Sequence, residues 1–168
     1  AIAHLQAIAE AQPGHEDAHR ELARLLRLAG RRQEAERHYR AAVIATPRDA
    51  LTICDLGRFY NEEGRYDEAV AQARTALKIA PHLSPALNLL GVALAGQGNT
   101  AEAIATLERA AALDPGSVGA LANLGTALAA GGRLAEAIAA SERALALAPQ
   151  DLTVRLNRAM ALLKAGRL

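Results

Sequence analysis

The chain has 168 residues, with 19 Lys and Arg against 18 Asp and Glu and a formal net charge of +1; a surface so balanced lacks the basic excess of a dedicated nucleic-acid binder. One cysteine, Cys54, rules out an intrachain disulfide and fits a reducing compartment, so a cytoplasmic location is expected. No run reaches the roughly 18 apolar residues of a membrane span, and aromatics at 2% beside abundant alanine and leucine suit close-packed helices better than a sheet.

A 34-residue period organises the chain. Pro13, Pro47, Pro81, Pro115 and Pro149 keep that spacing, as do Gly30, Gly64, Gly98, Gly132 and Gly166. Glu34, Glu68, Glu102 and Glu136, each followed by alanine, form a third column, and Ala42, Ala76, Ala110 and Ala144 a fourth. Columns in phase over this length mark an array of small repeated units.

Residues 1–15 match only the second half of a unit. Ala1, Leu5, Ile8 and Pro13 fall in the columns of Ala103, Leu107, Ala110 and Pro115, so one helix is expected here. The first full unit, 16–49, opens on a zinc-protease signature, His15, Glu16 and His19 in H-E-x-x-H spacing. That chemistry needs both histidines on one face in mid-helix and a third ligand. His15 shares a column with Asp49, Ser117 and Asp151 and is expected to be a helix cap. His19 shares one with Ile53, Leu87 and Leu121 and is expected in helix packing. His4, His38 and His82 lie in other units or on other faces, so no metal site is expected. Arg20, Arg24 and Arg27 share one face of the first helix, with Asp17 and Glu21.

In the second unit, 50–83, the equivalent face carries Leu51, Cys54, Asp55, Arg58 and Asn61, which places Arg58 beside Arg24. Arginine forks grip carboxylates in bidentate fashion, so Arg20, Arg24 and Arg58 are candidates for receiving an acidic segment. The alternative is neutralisation by Asp17, Glu21 and Asp55. Cys54 has no base beside it and is expected to pack.

The third unit, 84–117, shows the grammar most clearly. Ser84 is expected to cap a helix with Pro85 at its first position. Leu87, Leu90, Gly91 and Leu94 make its buried face, and Gly98 ends it. A second helix starts near Thr100, buries Ala103, Leu107 and Ala110, and stops at Pro115. On the open side lie Asn88, Leu89, Val92 and Ala95. The fourth unit, 118–151, offers Ala122, Asn123, Thr126 and Ala129 there, and the half unit 152–168 offers Leu156, Asn157, Met160 and Lys164. Asn88, Asn123 and Asn157, with Asn61 further back, are candidates for bonding a peptide backbone, because an amide both donates and accepts. They can equally bond backbone nearby. Glu108 with Arg109, and Glu142 with Arg143, read as solvated outer faces.

Leu56-Gly57, Leu90-Gly91 and Leu124-Gly125, followed three residues later by Tyr60, Leu94 and Leu128, together with the glycine, alanine and proline columns, resemble the tetratricopeptide repeat family. The tryptophan frequent early in that family's first helix is replaced by His19, Ile53, Leu87 and Leu121, and the first unit has Ala23 in the Leu-Gly column. The resemblance implies an all-α solenoid: helix pairs stacked into a right-handed superhelix with a concave groove lined by first helices. It implies protein or peptide partners, no cofactor and no catalysis. The residues LANLG at 121–125 and RLNRA at 155–159 resemble the asparagine ladder of bacterial O-GlcNAc-transferase-like arms, matched here only at Asn123 and Asn157. The lysine and asparagine set with which co-chaperone repeats hold heat-shock protein tails does not occur.

The expected function is a non-enzymatic interaction module binding an extended peptide or a partner helix. One alternative is a substrate-recruiting arm of a larger glycosyltransferase or sulfotransferase. Another is a scaffold that associates head to tail through Leu5, Ile8, Met160 and Leu162, since the two half units would complete each other and the chain reads as a fragment.

Overall fold

The computed structural model describes residues 1–167, and the expectations for Leu168 lie outside them. The described residues form ten α-helices and no strand. They fall into two compact units, Ala1–Pro81 and from His82 onward, which divide close to the boundary between the second and third full repeats.

The first unit holds α1 (Ile2–Ala11), α2 (Glu16–Leu28), α3 (Arg32–Ala45), α4 (Ala50–Glu62) and α5 (Tyr66–Ile79). The second holds α6 (Ser84–Gly96), α7 (Thr100–Leu113), α8 (Val118–Ala130), α9 (Leu134–Leu147) and α10 (Leu152–Lys164). Within the first, α2–α3 and α4–α5 are hairpins, α1 packs on α2, and α3 packs on α4. Within the second, α6–α7 and α8–α9 are hairpins, α7 packs on α8, and α10 covers α9 and part of α8. The architecture is an all-α solenoid of stacked hairpins.

The glycine column makes the hairpin turns. Gly30 has φ +74°, its N–H reaches Arg27 O at 3.0 Å, and the next amide, Arg31, reaches Leu26 O at 2.9 Å. This pair of bonds satisfies carbonyls that the helix end would leave open, and it needs a left-handed residue at that place. Gly64, Gly98, Gly132 and Gly166 repeat it. The proline column ends the second helices by acting on the residue before it. Gln12, Thr46, Ala80, Asp114 and Ala148 all take φ between −137° and −132°, outside the helical region, because a following proline ring crowds a helical conformation there.

The alanine columns are the seams. Ala35, Ala69, Ala103 and Ala137, with Ala42, Ala76, Ala110 and Ala144, are all at 0% exposure. Gly91 shows how closely paired helices approach, since a Cβ there would lie 2.5 Å from Leu107 Cγ. Asp49, Ser117 and Asp151 cap their helices as expected. Ser84 does not: Leu83 is the cap residue, Ser84 is already helical and buried, and its hydroxyl donates to Ala110 O at 3.1 Å, tying α6 to α7. The difference has a packing cause, because α7 offers a buried carbonyl acceptor within reach.

Candidate functional site

The histidines of the zinc-protease signature do not converge. His15 caps α2, its Nδ1 accepting from Ala18 N–H at 3.2 Å. His19 is buried at 6% exposure, with Nε2 3.1 Å from Pro13 O and Nδ1 2.9 Å from Nδ1 of His38. Among the described residues no three His, Cys, Asp or Glu side chains stand together in a metal-holding arrangement. The expectation that His38 lies on another face is corrected, for its ring stacks on that of His19 with centroids 5.1 Å apart.

In the first unit α2 and α4 line a polar cleft of about 370 Å³, with Arg20, Arg24, Arg27 and Arg58 facing Asp17, Glu21, Asp55 and Glu62 above Tyr39 and Phe59. The structure therefore brings Arg20, Arg24 and Arg58 together, and each has a carboxylate partner. Arg20 donates through Nε to Asp55 Oδ2 at 3.1 Å and through Nη1 to Glu16 Oε1 at 3.2 Å. Burial alone would lower its pKa, but the Asp55 and Glu16 carboxylates outweigh that and hold it above its ordinary value. Arg27 reaches Glu62 at 2.7 Å. These bonds tie α4 to α2, and the single Thr52 hydroxyl hydrogen is shared between the Glu16 carboxylate of α2 and the Asp49 cap of α4, each 2.6 Å from Oγ1.

Arg24 and Arg58 differ. Their partners sit three residues back on the same helix: Glu21 receives a fork from Arg24 at 2.9 and 2.6 Å, and Asp55 receives Arg58 at 3.0 Å. The side chains remain 51% and 60% exposed. The Arg24 bond holds the Glu21 carboxyl below its usual range. Exposed pairs of this type contribute little to stability, so an incoming carboxylate can displace the local partner at small cost. Asn61 is half-buried on α4, and its Oδ1 is buried with no partner.

Cys54, expected on or near the open side of α4, is buried, and burial pushes its thiol up to about 11. It is therefore a packing residue and a poor nucleophile at neutral pH. Leu89 and Ala122 are also buried, because α6 and α8 lie against each other.

In the second unit Asn123 Nδ2 donates to Asn88 Oδ1 at 3.0 Å, and Asn157 Nδ2 donates to Thr126 Oγ1 at 3.0 Å. The asparagines thus bond one another and a threonine hydroxyl on neighbouring first helices, with Ala122 O a longer contact of Asn157 at 3.5 Å. These bonds leave the opposite end of each amide, Asn88 Nδ2, Asn123 Oδ1 and Asn157 Oδ1, outside the ladder. Glu108 and Glu142 pair not with their sequence neighbours but with Arg133 at 3.1 Å and Arg158 at 3.6 Å.

Sequence reasoning missed Glu62, Tyr39 and the His19–His38 contact. Glu62 was within reach of it, since Arg27 and Glu62 stand 35 residues apart, the separation of Arg20 and Asp55 and of Asn88 and Asn123. One repeat plus one residue is the step by which a side chain meets the next unit.

No helix among the described residues is long and apolar enough to cross a membrane. Comparison with curated proteins finds no match. Among solved structures, a thermophilic tetratricopeptide repeat protein of Thermus thermophilus superposes with a TM-score of 0.83 at 26% identity, covering 96% of this chain and 89% of that one. The Pseudomonas aeruginosa pilF protein gives 0.77 at 25% identity, covering 90% and 69%. YrrB, described as a tetratricopeptide repeat protein with an unusual peptide-binding site, gives 0.68 at 20% identity, covering 99% and 86%. One tetratricopeptide repeat family model matches residues 1–50, 88–151 and 122–168, and a second matches 48–116. With matched segments running from the first repeat to the last, and hairpins built on the same glycine, alanine and proline columns, the chain belongs to the tetratricopeptide repeat family, whose repeats serve as protein-interaction modules.

Proposed function

We propose that the chain binds an extended, acidic peptide segment of a partner protein along the faces of its first helices. The observation that supports this most is the α2–α4 cleft, where Arg24 and Arg58 are more than half exposed and held only by local carboxylates. A guanidinium keeps five donors in a fixed fork, so each can take a ligand carboxylate while Arg20 and Arg27 hold the helices in register. In the second unit α6 and α8 carry no charged residue, and the free amide ends of Asn88, Asn123 and Asn157 bond peptide backbone without regard to side chains. No residue acts as a catalyst in this reading.

The test is a peptide array probed with the intact chain, followed by titration of the best binders against Arg24→Glu with Arg58→Glu. Affinity for acidic peptides should fall about tenfold or more, a loss of roughly 1.4 kcal/mol. Unchanged affinity contradicts the reading.

Self-association is a second reading. It is favoured by α10, where Leu152, Leu156, Met160 and Leu163 are exposed beside a largely apolar hollow that reaches Leu162. Sedimentation that shows only monomer at high concentration contradicts it.

A further inference from the structure

We infer that Asp17 is a specificity-determining residue of the α2–α4 cleft: together with Glu21 it takes a lysine or arginine of the ligand, so the segment bound there carries a cation beside its carboxylates. The inference rests on the reading of this cleft as a receptor for ligand carboxylates.

The charges of the cleft balance. Four guanidinium groups line it against four carboxylates, so it holds no surplus of positive charge for a purely acidic chain to neutralise. Three of those carboxylates are engaged by arginine: Glu21 by Arg24, Asp55 by Arg20 and Arg58, and Glu62 by Arg27. Asp17 is the fourth. It is exposed, and among the described residues its carboxylate has no partner.

What the ligand displaces matters as much as what it meets. When a ligand carboxylate takes Arg58, Asp55 keeps Arg20. When one takes Arg24, Glu21 loses its bonds at 2.9 and 2.6 Å, and Arg24 is its one partner among the described residues. Glu21 then stands as a bare carboxylate one turn along α2 from Asp17, the i, i+4 separation at which like charges repel. A cation between the two satisfies both. Binding becomes an exchange of ion pairs: the ligand acid replaces Glu21 at Arg24, and the ligand cation replaces Arg24 at Glu21 while engaging Asp17.

The helix spacing says where that cation stands. At a rise of about 1.5 Å per residue, the midpoint between Asp17 and Glu21 lies about 7 Å along α2 from Arg24. An extended chain covers about 6.6 Å in two residues and returns its side chains to the same face. A lysine two positions from the glutamate that meets Arg24 therefore reaches both carboxylates.

The test uses the intact chain and synthetic glycine–serine peptides that carry two glutamates, with a lysine two positions before or after them, or norleucine in its place. Norleucine keeps the aliphatic stem and removes the charge. In titration calorimetry the lysine peptide of one polarity should bind about three- to tenfold tighter than its norleucine twin. Asp17→Asn should cut that ratio to about twofold or less. The ratio is the readout because it cancels any loss of helix stability from removing a first-turn carboxylate, and Asp17→Asn leaves Arg24 and Arg58 in place. Glu21→Gln removes the partner that has to be displaced, so the norleucine peptide should bind it more tightly than the unaltered chain. A ratio near one in the unaltered chain, or a ratio that Asp17→Asn leaves undiminished, overturns the inference. If both peptides then still lose affinity in Arg24→Glu with Arg58→Glu, the acidic-segment reading stands without it. If neither peptide binds the unaltered chain, both fall.

Discussion

Arg20 of α2 grips Asp55 of α4 across 35 residues of sequence, with Nε and Nη2 both 3.0–3.1 Å from the same carboxylate oxygen. Asp55 also takes Arg58, so one carboxylate serves two guanidinium groups and joins two repeats. The Arg20 bond is the half-buried one and belongs to the fold, whereas Arg24 and Arg58, the arginines proposed to receive a ligand, are more than half exposed. A double-mutant cycle with Arg20→Ala and Asp55→Ala should give a coupling of about 0.5–1.5 kcal/mol by urea denaturation, above that of an exposed pair. The equivalent cycle on the exposed Arg24 and Glu21 should give a smaller coupling, close to none.

Gly91 sits where α6 crosses α7, and its missing Cβ makes room for Leu107. Gly91→Ala should destabilise the chain by about 1–3 kcal/mol, since the seam must open or Leu107 must leave its rotamer. Gly119, with nothing within 4 Å of its added Cβ, is the control. Gly119→Ala should be neutral or slightly stabilising by thermal denaturation.

Asp49 caps α4, accepting from Leu51 N, Thr52 N and the Thr52 hydroxyl. The Thr52 bond first, then the two backbone amides, holds its carboxyl below the usual range. A depressed folded pKa means that the unfolded chain takes up the proton first. The contribution is therefore full above about pH 4 and is lost as pH falls through the folded value. Asp49→Ala should cost about 1 kcal/mol at pH 7, and the gap to the unaltered chain should shrink as pH drops from 4 to 2.

Cys54 is 1% exposed, and its thiol stays protonated at neutral pH. Labelling by a disulfide reagent at pH 8 should be about a hundredfold or more slower in the native chain than in urea. Rapid native labelling would mean that α4 opens.

How much of this was legible beforehand depended on period. Turn glycines, prolines and seam alanines recur in phase, so the helices, their ends and the buried faces could be read from spacing. Side chains that reach the next unit were half legible, because the step is 35 and not 34, as Arg27 with Glu62 shows. Leu89 and Ala122 were misplaced because helical periodicity marks a face but not which neighbour covers it. The His19–His38 contact was out of reach, since it joins two helices of one hairpin at positions the other repeats fill differently.

The central claim is that the first-helix faces receive a partner chain. Backbone amide shift mapping, with the strongest peptide from the array added to the intact chain, tests it most directly. The account predicts perturbations centred on Glu21, Arg24, Asp55 and Arg58, with second helices α3 and α5 little changed. Perturbations confined to those second helices, or none at saturating peptide, would contradict it.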